Sequence, residues 1–196
     1  MARSARVARR RFAEEIAREA GAITLKYFNT DRLEVERKAD DSPVTVADKA
    51  AERHLRERIS AAFPDDALLG EEYGEQPGTR GYRWILDPID GTKSFIAGVP
   101  LYTTLIGVTF EGRPMIGIIE APALNERIAA ARGHGAWHQV GEAEPKRAKV
   151  SSRDSLAAGI FCTSQVDTFT RRGAAHVFAE LQEAAYVTRT WGDAYG

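Results

Sequence analysis

The chain has 196 residues, 43% of them hydrophobic, with 27 Lys plus Arg against 28 Asp plus Glu and a formal net charge of -1. So even a balance provides no global field for nucleic acid or an anionic membrane surface, so neither partner is expected and any charged ligand must be held locally. The single cysteine, Cys162, excludes an intramolecular disulfide and gives no zinc or redox framework. The chain shows no secretory h-region and no apolar run approaching the roughly 18 residues of a spanning helix, so a cytoplasmic protein is expected.

From about Val7 to Phe28, Ile16, Ala20, Ile23 and Tyr27 recur at helical spacing and mark one packing face. The arginines at 3, 6, 9, 10 and 11 are read as the solvated start of that helix. A second helix follows, with Thr45 as N-cap, Asp48 in its first turn, and Ala51, Leu55, Ile59 and Phe63 as its buried stripe. Pro64-Asp65-Asp66 ends it, and ALLG at 67–70 is a short buried strand that delivers Glu71 and Glu72.

After a Gly/Pro loop at 74–81, YRWIL forms a strand whose end delivers Asp87. TTLIGVTF and PMIGIIEA, separated by Glu111-Gly112-Arg113, read as an antiparallel hairpin that RIAAAR and GAWHQV extend. The polar stretch 141–149 lacks periodicity and reads as a linker, dividing the chain into lobes at 1–145 and 146–196. Beyond it a strand (AGIFCTS), a helix (about Thr168 to Ala185) and a strand (YVTRT) give the β-α-β order of an α/β unit.

The segment WILDPIDGT, 84–92, carries the chemistry. Asp87 and Asp90 stand at the end of an apolar strand, and Pro88 fixes one backbone angle between them while removing an N–H. Two carboxylates held this close repel unless a cation or a proton lies between them, and Glu71 at a neighbouring strand end is a candidate third. Oxygen ligands without Cys or His point to Mg²⁺, which keeps several waters and commonly shares its remaining positions with a phosphate. Gly91-Thr92 permits close backbone approach and exposes amides to an anion if a helix starts there. Taken singly, Asp-Pro and Asp-Gly are ordinary turn dipeptides; the whole string is not. His134 and His138 have ligand spacing only on a helix, and Gly133 and Gly135 favour a turn. Ser94 and Cys162 have no adjacent base, and Lys38, near the cleft side, could touch substrate, with a solvated lysine as the default reading.

DPIDGT, preceded by GEE and by an Asp-containing helix start, resembles the inositol monophosphatase superfamily of Mg²⁺-dependent phosphatases. The resemblance implies an α/β layered α-β-α-β sandwich of the inositol monophosphatase and fructose-1,6-bisphosphatase type. It also implies that Glu71, Asp87 and the Ile89 carbonyl hold one Mg²⁺ and that Asp87 and Asp90 contribute to a second. Thr92 with Asp48 would help activate the attacking water, a carboxylate such as Glu71 or Asp48 would take its proton, and the Gly91 and Thr92 amides would hold the phosphate. Two metals about 3.5–4 Å apart suit an in-line displacement without a side-chain nucleophile.

RTWGDAYG, at 189–196, matches the family's Arg-x-x-Gly substrate segment, with Asp193 and Tyr195 following Gly192 as in its histidinol-phosphate phosphatases. Arg189 and Asp193 are thus expected to bind substrate, Asp193 facing a cationic alcohol. CTSQVDTF, at 162–169, resembles the same subgroup. The reading is a histidinol phosphatase of histidine biosynthesis acting on a small phosphorylated alcohol, with inositol-1-monophosphatase as the alternative. The family's later metal aspartate has no counterpart before Gly196, so the chain resembles a shortened member with an incomplete second lobe, and a non-catalytic metal- or partner-binding form is the reading of another class. Family members are often dimers, which implies a homodimer.

Overall fold

The computed structural model describes residues 3–31, 33–38 and 42–191. Helix α1 (Arg3–Leu25) begins four residues earlier than its apolar spacing suggested. It is followed by β1 (Val35–Arg37) and β2 (Pro43–Thr45), a three-residue antiparallel pair too brief to leave a sequence pattern. Helix α2 (Val46–Ala62) starts as expected. Thr45 forms a capping box with Asp48, and Ala51, Leu55 and Ile59 are fully buried.

Next come β3 (Ala67–Gly70), β4 (Gly74–Gln76), β5 (Tyr82–Asp90), α3 (Thr92–Ile96), β6 (Thr103–Phe110), β7 (Arg113–Ala121), β8 (Glu126–Ala131), β9 (Gly135–Val140) and β10 (Lys146–Ala148). The β strands of this run form an eight-stranded sheet in the order β10-β9-β8-β7-β6-β5-β3-β4, in which only β3 and β5 run parallel. Glu111 at φ 49 and Gly112 at φ 75 close the β6–β7 hairpin. β4 lies in the stretch read as loop, and β10 in the stretch read as linker. Lys146–Ala148, expected to open the second lobe, pairs instead with β9.

Helices α1 and α2 cover one face of this sheet. Ala13, Ile16, Ala17 and Ala20 of α1 meet Leu55 and Ile59 of α2 over Leu68, Trp84, Leu86, Ile106 and Ile118. A second cluster of Ala47, Ile89, Phe95 and Tyr102 lies under the β5–α3 junction. The remainder is β11 (Ile160–Cys162), α4 (Asp167–Arg171), α5 (Ala175–Ala184) and β12 (Val187–Arg189), with β11 and β12 parallel. One helix was expected across 168–185; Gly173 at φ 68 breaks it into two.

Candidate active site

Strand β5 runs four residues past the expected YRWIL. Asp87 pairs with Leu105 and Asp90 with Thr103, so β5 carries one extra residue between them. This bulge falls at Pro88, which has no N–H to give the ladder. The Pro88 carbonyl accepts from Thr104 Oγ1 at 2.8 Å, and Ile89, 1% exposed, anchors the bulge in the second cluster. Asp87 and Asp90 are thereby fixed at the end of the strand while Pro88 and Ile89 between them are held inside.

Gly91 follows at φ 87, a left-handed conformation that suits glycine, and turns the chain into α3. Phe95 of α3 packs edge-on to Tyr102 at 4.7 Å. Thr92 Oγ1 donates to the Ile89 carbonyl at 3.1 Å, the same oxygen expected to face a metal.

The carboxylates do converge. Asp87 is pushed up to about 8 by burial first, then by the charges of Glu71 and Asp90, the nearby Glu71 side chain and the charge of Asp48. Its Oδ1 is buried and has no hydrogen-bond partner. Asp48, 2% exposed, is raised by burial, while hydrogen bonds from Thr45 oppose the shift. Its Oδ2 accepts from the Thr45 amide at 2.7 Å and the Thr45 hydroxyl at 2.6 Å, so one oxygen of the proposed proton acceptor serves the helix cap.

Lys38 is the residue sequence reasoning misplaced. Its ammonium donates to Glu71 Oε1 at 2.6 Å and Glu72 Oε1 at 2.8 Å, so it is a member of the cluster and not a solvated lysine. Burial works against its charge, but the bonds to the two glutamates outweigh it and raise its pKa. Glu72 is raised by its own burial, against the pull of Lys38. No local pattern links Lys38 to residues more than 30 positions away. Glu52 was also missed, although Asp48, Glu52, Leu55 and Ile59 share one helical face.

Among the described residues no group of three or more His, Cys, Asp or Glu side chains stands ready to hold a metal ion. The Lys38 ammonium, bonded to Glu71 and Glu72, offsets part of the negative charge there. The donor set nevertheless fits a hard cation: it is all oxygen, it is crowded, and one buried oxygen of Asp87 has no partner. His134 lies in a turn, and His138 on β9 pairs with Glu126, so the two do not form a site.

A cavity of about 480 Å³ opens beside α3, lined by Lys93, Ser94, Val99, Ser164, Gln165, Thr190 and Trp191. Arg189 stands at the end of β12, where its Nη1 donates to the Thr188 carbonyl at 2.8 Å. Asp193 lies outside the described residues.

A helix-covered mixed sheet with clustered carboxylates at a strand end belongs to the layered α/β phosphatases. More narrowly, the chain belongs to the inositol monophosphatase family, whose model matches residues 7–195. It is 43% identical over 184 residues to the histidinol-phosphatase of Chlorobaculum parvum, covering 94% of this chain and 69% of that one. With the histidinol-phosphatase of Mycobacterium tuberculosis it shares 38% over 178 residues, 91% of this chain and 68% of the relative. Among solved structures, the IMPase of Thermotoga maritima superposes with a TM-score of 0.83 at 29% identity, covering 95% of this chain and 69% of its own. An inositol monophosphatase from Zymomonas mobilis gives 0.79 at 32%, covering 98% and 72%. The protein is a phosphatase, and no helix among its described residues is long and apolar enough to cross a membrane.

Proposed function

We propose that this phosphatase hydrolyses histidinol phosphate in a Mg²⁺-dependent reaction. The observation that carries the metal half of the reading is Asp87, a half-buried carboxyl group with one buried, unpartnered oxygen, crowded by Glu71 and Asp90 and raised to about 8. Glu71, Asp87 and the Ile89 carbonyl would hold one Mg²⁺, and Asp87 with Asp90 would contribute to a second. Bound there, Mg²⁺ supplies charge neutralisation at the phosphate and a more acidic water.

The chain's own groups do the rest. Thr92 Oγ1, its proton engaged by Ile89, offers lone pairs to orient the attacking water. Glu71 or Asp48 takes that water's proton, and the Gly91 and Thr92 amides hold the phosphate. The cavity beside Lys93 and Ser94 has room for the alcohol; the assignment of Arg189 and Asp193 to substrate rests on the RTWGDAYG segment alone. Similarity to two histidinol-phosphatases across more than nine tenths of the chain supports the choice of ester.

Phosphate release with Mg²⁺ from histidinol phosphate and from inositol 1-phosphate tests it. An aspartate paired with the substrate ammonium predicts a kcat/KM advantage of about 10- to 150-fold for histidinol phosphate. A preference for inositol 1-phosphate transfers the reading to that ester. No release from either ester favours the non-catalytic form.

A further inference from the structure

Glu52 is a charged residue with 0% exposure in the middle of α2. Both its oxygens are used. Oε2 accepts the Glu72 amide at 2.7 Å, and Oε1 accepts the Tyr73 amide at 3.2 Å together with Arg56 Nε at 2.7 Å. Arg56 in turn donates through Nη2 to the Gly74 carbonyl. The pair therefore grips three successive residues of the β3–β4 turn. One residue earlier, the Glu71 amide is fixed from the other side by the Leu86 carbonyl of β5 at 3.2 Å.

Gly70 shows how closely the carboxylate is fitted. A Cβ built there would lie 1.9 Å from Glu52 Oε1 and 2.3 Å from Cδ, and Gly70 does not have the positive φ that would otherwise call for glycine. β3 ends in glycine to leave room for a carboxylate arriving from α2. Burying that carboxylate is costly unless its lone pairs are filled, and the amides and Arg56 fill them.

We propose that Glu52 is a positioning residue of the phosphatase site: through the Glu72 and Tyr73 amides it sets the angle at which Glu71 meets Asp87. The proposal rests on the reading that Glu71 serves that site. Asp48 lies one helical turn before Glu52 on the same buried face, so α2 ties Asp48 directly and Glu71 indirectly to one rigid element. Groups that hold a ligand's backbone or ring fix its geometry without touching the ion, and losing one typically costs metal affinity about 10- to 100-fold.

Glu52→Gln tests this at nearly constant volume, because whichever way the amide turns, its NH₂ faces an N–H donor. Hydrogen exchange at the Glu72 and Tyr73 amides is expected to accelerate in the variant. The Mg²⁺ half-saturation, read by calorimetry and by the Mg²⁺-induced rise in Tm, should increase by about 10- to 100-fold. KM for the phosphate ester at saturating Mg²⁺ should stay near that of wild type. Faster exchange and a lower Tm with unchanged Mg²⁺ affinity would mean that Glu52 only supports the turn, and the proposal is then wrong. If Glu52→Gln shows no native far-UV spectrum, Arg56→Lys takes its place: it keeps the charge, loses the fork to Glu52 and Gly74, and is held to the same two outcomes. Wild type that binds no Mg²⁺ would overturn the phosphatase-site reading and the proposal with it. Wild type that binds Mg²⁺, alongside a variant that binds it equally well, overturns the proposal alone.

Discussion

At Asp87, burial and neighbouring carboxylates act in the same direction, raising the group from an ordinary 3.8 to about 8. A group raised in the folded state contributes stability that is fully present below its unfolded pKa and is lost as pH rises through the folded value. The metal-free fold should therefore weaken between about pH 4 and pH 8, because ionising Asp87 sets it against Glu71, Asp90 and Asp48. Mg²⁺ should remove most of that slope by taking the proton's place. In EDTA, Asp87→Asn is expected to melt above wild type at pH 8, with the gap narrowing towards pH 6, and to lose most of the stabilisation Mg²⁺ gives wild type. A Tm difference between the two proteins that stays constant from pH 6 to pH 8.5 would show that Asp87 is ionised throughout. Asp87 and Asp90 were legible in the sequence because they sit in one short string, whereas Glu71 and Asp48 lie outside it. The counter-charge, Lys38, was not legible, since nothing local marks a lysine that meets glutamates more than 30 residues away.

Whole elements were legible where a period is sustained and illegible where pairing alone defines them. α1, α2 and the β6–β7 hairpin follow from apolar spacing and turn residues. β4, with all three residues exposed, and β10, with two, have no apolar face to betray them and exist because a neighbouring strand offers backbone partners. How α1 is fastened to the sheet was equally hidden. Arg9 of α1 makes two 3.0 Å bonds to Asp66, which also accepts from Trp84 Nε1 at 3.0 Å, while the guanidinium stacks 3.7 Å from Tyr82 and 4.3 Å from Phe63. Arg9 had been read with the solvated arginines, yet it is 7% exposed. Asp66→Ala strands a buried cation and should cost about 3–5 kcal/mol in urea unfolding. Arg9→Met combined with Asp66→Leu should recover part of that loss. A cost below about 1 kcal/mol for Asp66→Ala would mean that water already satisfies Arg9.

At the scale of the molecule, burial is uneven along the chain. Among the described residues, the buried ones all lie between Arg9 and Ala131, whereas none of residues 149–191 is buried as a whole. The β11–β12 region has instead a small aromatic contact set, Phe161, Phe169 and Phe178, with ring centroids 5.4–6.3 Å apart. Local stability follows buried apolar contact, so the two regions should open at different free energies. The segment between them is the natural place to cut: Val150 is 97% exposed, and residues 149–154 are exposed and in no helix or strand. This places the division into two lobes that we propose after β10, whose pairing with β9 joins it to the large sheet. Limited proteolysis under native conditions should therefore cut first within 149–155, leaving a resistant N-terminal fragment that includes β10 while the C-terminal piece is degraded further. Mass spectrometry of the time course identifies the sites, and the resistant fragment should keep a cooperative melt. Early cleavage inside β6–β9, or loss of both regions at one rate, would show that the chain opens as a single unit and that the division is wrong.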